Sequence, residues 1–101
     1  MPVHQYSGGG DLTVAVTNAQ AVAGIAIRAA QSRLCKVLVT TVIGANAIVF
    51  FDNASAASGT IIGIIPAATA ANTVITFDMP ASNGIFQQAA AGGGAYTASV
   101  Y

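Results

Sequence analysis

Residues 47–66, AIVFFDNASAASGTIIGIIP, contain the two most apolar segments of the chain and decide its fold. Residues 47–51 form an apolar run that ends at Asp52-Asn53, and residues 60–65 form a second run that Pro66 stops. Both runs have the length of strands and are rich in β-branched or aromatic side chains. The segment therefore predicts two β-strands, separated by a polar stretch that extends through Ser58-Gly59.

The same pattern of a short apolar or alternating run between turn residues recurs along the chain. Six further runs occupy residues 12–16, 25–29, 34–41, 73–77, 85–89 and 95–101. Short strands spaced by roughly 8 to 12 residues are typical of β-sandwiches and jelly rolls. We therefore predict an all-β fold, an antiparallel β-sandwich or jelly roll of about eight short strands, with one domain over residues 12–101.

Three local features carry more specific expectations. The Ala-rich residues 19–30 could form a helix, but Gly24 and two β-branched Ile favour a strand over 24–29. The turn residues at 43–46 predict that the strands at 34–41 and 47–51 form a hairpin. The triplet Asp78-Met79-Pro80 predicts the end of the strand at 73–77.

Residues 1–11 differ in character from the rest of the chain. They contain neither the basic nor the apolar region of a secretory signal, so we expect none. Gly8-Gly9-Gly10 separates His4-Gln5-Tyr6 from the first strand. We expect a flexible N-terminal arm, which is either a clamp onto a partner by strand addition or a frayed terminus.

Large apolar side chains lie on both faces of the strands predicted in the opening segment. Successive side chains of a strand point to opposite faces, so the run from Ile48 to Phe51 and the run from Ile61 to Ile65 present apolar groups on both sides. A strand of a two-layered sandwich has only one inward face. We therefore expect an obligate homo-oligomer, with a trimer favoured, and a monomer with apolar edge strands as the alternative.

The composition excludes several functional classes. Only 6% of the 101 residues are charged, and the three acidic and three basic residues give a formal net charge of zero. No basic stripe is present, so we expect no nucleic-acid partner.

The charge-free segments 53–77 and 79–101 are long enough to cross a bilayer, but Asn, Gln, Gly and Pro interrupt them. We therefore expect no membrane association.

Titratable side chains are too few for most catalysis, because the chain has one His, one Cys and no Glu. We expect no enzyme activity, no catalytic residues and no cofactor. His4 could bind a metal only together with copies of itself on a symmetry axis, and we predict a surface His and no metal site. Cys35 lies in an apolar run and is expected to be a buried structural thiol.

The C-terminal half contains a characteristic succession of short motifs. These are residues 50–60 (FFDNASAASGT), Ile64-Ile65-Pro66, residues 73–80 (TVITFDMP) and Asn83-Gly84-Ile85, followed by a last strand that ends in Tyr101. Together with the strand at 37–41, they resemble small β-sandwich virion proteins of tailed bacteriophages. The resemblance implies a capsid decoration (cement) protein that oligomerises, binds the major capsid protein at the capsid surface and stabilises the head. A tail or head fibre, or a receptor-binding β-module, is the alternative that it implies.

Six residues are candidates for contacts with a partner: Val3, His4, Gln5, Tyr6, Tyr96 and Tyr101. The first four belong to the N-terminal arm. The two Tyr of the last strand could anchor an interface, where Tyr is enriched, or cap the end of the sandwich. Arg28 could pair with Asp11 or Asp78, and an Arg that faces solvent on an edge strand is the simpler interpretation.

Overall fold

The computed structural model of the chain describes residues 12–101. In chain order the elements are β1 (Leu12–Val16), α1 (Asn18–Ala23), β2 (Ile25–Arg28), β3 (Ser32–Thr41), β4 (Ile48–Phe51), β5 (Ile61–Ile65), β6 (Val74–Ala81), β7 (Ile85–Gln87) and β8 (Ala95–Val100). The predicted all-β class with eight strands is confirmed over these residues. The predicted arm, with the interface candidates Val3, His4, Gln5 and Tyr6, lies outside the described residues.

The strands form two four-stranded antiparallel sheets. The first sheet has the order β1-β8-β3-β6 and the second has the order β2-β7-β4-β5. The first strand pairs with the eighth, the second with the seventh, the third with the sixth and the fourth with the fifth. The chain is thus one long hairpin with β4 and β5 at its tip, and its successive pairs alternate between the two sheets. This is the jelly-roll arrangement, one of the two predicted architectures.

Aromatic rings fill the space between the sheets. Phe50 of β4 lies at the centre, with its ring centroid 5.9 Å from that of Phe77 and 5.6 Å from that of Tyr96. Both pairs meet edge to face, the geometry that aromatic quadrupoles favour. Gly63 of β5 makes room for this cluster, since a Cβ at this position would lie 2.8 Å from Cδ1 of Phe77.

The segment for which helix and strand competed contains both. A capping box begins α1, because the backbone N–H of Gln20 donates to Oγ1 of Thr17 and the backbone N–H of Thr17 donates to Oε1 of Gln20. The helix stops at Gly24, which adopts a φ of 84°. The predicted strand then follows as β2. Within residues 12–101 no helix has the length and apolarity needed to span a bilayer.

The predicted hairpin of β3 and β4 is wrong, because these strands lie in different sheets. The turn residues between them carry the chain from the first sheet to the second. The backbone N–H of Ile43 donates to the carbonyl oxygen of Thr69 at 2.9 Å, and that of Gly44 donates to the carbonyl oxygen of Gly93 at 3.2 Å. Gly44 also approaches the backbone of Gly92 so closely that no Cβ fits there.

The predicted end of the sixth strand is also wrong, because β6 continues through Asp78, Met79 and Pro80 to Ala81. Asp78 has a φ of 53° and lies where the register between β3 and β6 shifts. This register shift is a β-bulge, which accommodates Asp78 as an extra residue of β6. Pro80 is tolerated since β6 is an edge strand, so its missing N–H interrupts no ladder on the outer side.

Candidate functional site

The outer surface of the second sheet is apolar across all four of its strands. In one row Ala26 opposes Phe86, Phe86 opposes Phe51, and Phe51 opposes Ile61. In the next row Val49 opposes Ile64. We call these six residues the apolar face: Ala26, Val49, Phe51, Ile61, Ile64 and Phe86.

The burial of β4 and β5 shows that the apolar face is separate from the core. Ile48, Phe50 and Ile65 are completely buried between the sheets. Ile61 and Ile64 are 48% and 47% exposed, and Val49, Phe51 and Phe86 are half-buried. The two-sided apolar pattern of the sequence is therefore present in the structure, and one protomer covers only one of its sides.

The outer surface of the first sheet has a different composition. One of its rows runs from Thr13 through Ser99 and Lys36 to Thr76. The next row runs from Ala15 through Thr97 to Leu38 and Val74, so its large apolar side chains are confined to the neighbouring strands β3 and β6. Hydroxyl and ammonium groups thus interrupt this surface, whereas none of the six residues of the apolar face carries an ionisable group.

Charged residues appear at the margins of the apolar face. Arg28 ends β2 two residues after Ala26, and Asp52 follows β4 directly. Oδ1 of Asp52 accepts a 2.8 Å hydrogen bond from the backbone N–H of Asn83. This hydrogen bond is the main cause that holds the pKa of Asp52 below its ordinary value, because it stabilises the carboxylate.

The structure places Tyr96, a predicted interface residue, in the core, where it is 1% exposed. Its hydroxyl donates a 2.6 Å hydrogen bond to Oε1 of Gln87. Burial raises the pKa of Tyr96, because a phenolate would lose its hydration there. Tyr96 thus has a structural position in place of the expected surface one. Tyr101 is exposed and remains an interface candidate.

The other polar residues considered in the sequence also have defined positions. Cys35 is buried, as predicted. Asp78 pairs with Arg33 and not with Arg28, since Nη1 of Arg33 lies 3.0 Å from Oδ1 of Asp78 across the neighbouring strands β3 and β6. Arg28 lies half-buried on β2, an edge strand, and its other expected partner, Asp11, lies outside the described residues.

Phe86 is the residue of the apolar face that sequence reasoning missed. In Ile85-Phe86-Gln87 the hydropathy pattern alone would turn Phe86 inward and Gln87 outward. The structure does the reverse, because Nε2 of Gln87 donates to the carbonyl oxygen of Ala21 at 2.9 Å and Tyr96 satisfies Oε1. The only available signal is the period of two that starts at the buried Ile85.

The described part of the chain, residues 12–101, contains no group of three or more His, Cys, Asp or Glu side chains that could hold a metal ion. The single His of the sequence, His4, lies outside this range. No protein-family model, curated protein or solved structure matches this chain significantly.

Proposed function

We propose that this protein is a non-enzymatic structural component of a larger assembly and that it associates through the apolar face. The observation that carries this proposal is the apolar row across all four strands of the second sheet, with Ile61 and Ile64 about half exposed. Continuous apolar patches of this kind mark interaction surfaces, and covering them is favourable because water is released from apolar area.

A second copy of the chain is the partner that best fits this surface. The six residues of the apolar face include no ionisable side chain, so nothing on the face selects a charged partner. The formal net charge of zero means that copies do not repel one another. We propose a cyclic trimer in which three apolar faces turn toward the threefold axis, because closed symmetry covers the same patch on every copy.

Within this class we propose a capsid decoration (cement) protein of a tailed bacteriophage, bound to the major capsid protein at the capsid surface. The motifs of residues 50–85 that resemble such virion proteins support this assignment. The jelly-roll arrangement is compatible with it, since viral capsid proteins use this fold, but lectins and cupins use it too. The motifs therefore carry more of the argument than the topology does.

The packing between the sheets supports a structural role over ligand binding at that place. Tyr96, Phe50 and Leu34 are the largest of the fully buried side chains, and they occupy the interior of the sandwich. A ligand site between the sheets would need the space that these side chains fill.

Light scattering on the purified full-length chain tests the self-association. The expected mass is three times the 10.0 kDa of one protomer. A mass of one protomer at every concentration would contradict the proposal.

Gel densitometry of particles purified from the source then tests the virion role. A copy number that is stoichiometric with the major capsid protein is expected, and a few copies per particle would favour the fibre alternative.

A further inference from the structure

A cleft of about 440 Å³ lies at one end of the sandwich, where the chain passes from β2 to β3. Its lining residues are Arg28, Gln31, Ser32, Arg33, Pro80 and Tyr101. Arg33 and Tyr101 are joined by two backbone hydrogen bonds of 3.2 and 2.9 Å, and Arg33 opposes Pro80 in the first sheet. Arg28 belongs to the second sheet, so residues of both sheets form the wall.

Basic side chains are concentrated at the cleft. Two of the three basic side chains of the protein, those of Arg28 and Arg33, line it. Nη1 of Arg33 donates to the carbonyl oxygen and to Oδ1 of Asp78 at 3.1 and 3.0 Å, whereas its Nη2 and Nε form no hydrogen bond with any residue from 12 to 101. Within residues 12–101 Arg28 forms no ion pair. The side chains here thus comprise two guanidinium groups and one carboxylate, that of Asp78.

A third side chain of the cleft lacks a partner. The hydroxyl oxygen of Ser32 is buried, and among the described residues it is the one buried side-chain nitrogen or oxygen atom without a hydrogen bond. A buried hydroxyl without a partner is costly, and a ligand oxygen could satisfy it only after rotation of the Ser32 side chain toward the cleft.

We propose that this cleft binds a carboxylate group of a partner polypeptide, the side chain of an aspartate or a glutamate. Guanidinium N–H groups match the two oxygens of a carboxylate in a planar arrangement, and rotation of the Ser32 side chain would add a further donor. A phosphate monoester carries about 1.5 to 2 negative charges, more than two Arg side chains beside Asp78 can offset.

This inference deepens the proposed function and rests on it for the kind of partner. The apolar face can supply binding free energy, but apolar contact is non-directional. Arg28 follows the apolar face on β2, so a carboxylate bound in the cleft would fix the orientation of a partner at the margin of that face.

Titration of the ¹⁵N-labelled full-length chain with sodium acetate, against sodium chloride at constant ionic strength, tests the cleft. Saturable chemical-shift changes are expected at the amides of Ser32, Arg33 and Tyr101. Arg28→Gln is expected to weaken acetate binding at least about tenfold, since one charged hydrogen-bonding partner is lost. Ser32→Ala is expected to weaken it less. Lys36→Gln is the matched control, because it removes the third basic residue, which lies outside the cleft, and it should leave binding unchanged.

Further variants keep the test decisive. Arg28→Lys retains the charge but not the planar guanidinium, so its affinity should lie between those of the wild type and Arg28→Gln. Equal acetate affinity in the wild type and both Arg28 variants would overturn the proposal, as would tighter binding of inorganic phosphate through the same residues. Light scattering on the same samples separates the two proposals. A trimer that does not bind acetate would refute carboxylate binding in the cleft alone. A monomer that binds acetate would refute self-association alone.

Discussion

The hydroxyl of Tyr96 donates a 2.6 Å hydrogen bond to Oε1 of Gln87 inside the sandwich. Tyr96 belongs to β8 of the first sheet and Gln87 to β7 of the second, and the two residues are 1% and 0% exposed. Nε2 of Gln87 then donates to the carbonyl oxygen of Ala21 in α1 at 2.9 Å. A chain of polar groups that cannot reach water thus joins both sheets and the helix.

Tyr96→Phe should therefore destabilise the protein. The substitution keeps the ring but leaves Oε1 of Gln87 buried without its donor, which typically costs about 1–3 kcal/mol. Urea denaturation followed by circular dichroism measures the free energy of unfolding. Tyr101→Phe is the control, since Tyr101 is 53% exposed and its change should stay within about 0.5 kcal/mol. Equal stability of the two variants would contradict the importance of this hydrogen bond.

The same burial predicts a loss of stability in alkali. The pKa of Tyr96 is raised above its ordinary value of 10.0, so the folded protein keeps this proton where the unfolded chain releases it. Its contribution is complete below pH about 10 and decreases above it, by up to about 1.4 kcal/mol per pH unit. Tyr96→Phe lacks this dependence. The stability difference between wild type and variant, measured by urea denaturation, should therefore shrink above pH about 10, and a constant difference would refute the linkage.

The strands could be predicted from the sequence because their alternation is a local property. Two features could not be predicted in this way. The helix α1 depends on the capping box between Thr17 and Gln20, which a comparison of helix and strand propensity does not weigh. The crossing between β3 and β4 depends on contacts of Gly44 with the distant residues Gly92 and Gly93, whereas turn residues alone indicate a bend without specifying which strands it joins.

The candidate site was predictable to a similar extent. That β4 and β5 carry apolar residues on both faces follows from a period of two. The joint exposure of Ile61 and Ile64 does not, because these residues share the outer surface only through the register shift between Phe50 and Phe51. Phe86 was difficult to predict, because its orientation depends on where Gln87 finds hydrogen-bond partners. The burial of Tyr96 follows from the alternation that it shares with Ala98 and Val100, and the assignment of Tyr96 to an interface overlooked this pattern. The cleft of Arg28 and Arg33 forms only when two strands of different sheets come together at one end of the sandwich.

Gly63→Ala should destabilise the core by about 1–3 kcal/mol, the usual cost of overpacking. The added Cβ would lie 2.8 Å from Cδ1 of Phe77 and 3.1 Å from Cδ2 of Leu34, and Phe77 in turn packs against Phe50. A double-mutant cycle with Phe77→Leu checks this cause by urea denaturation. The double variant should lose less stability than the sum of the two single losses, whereas simple additivity would show that Phe77 is not the obstacle.

Ile64→Lys should convert the proposed trimer into a monomer. Ile64 is 47% exposed on β5, the edge strand of the second sheet, so the substitution leaves the core intact but would bring three ammonium groups together without hydration around the threefold axis. Val74→Lys is the matched control, because Val74 is 58% exposed on β6, an edge strand of the other sheet. Light scattering should give the mass of one protomer for the first variant and the mass of a trimer for the second. If Val74→Lys dissociates the assembly and Ile64→Lys does not, the interface lies on the first sheet, and the assignment of the apolar face to self-association is wrong.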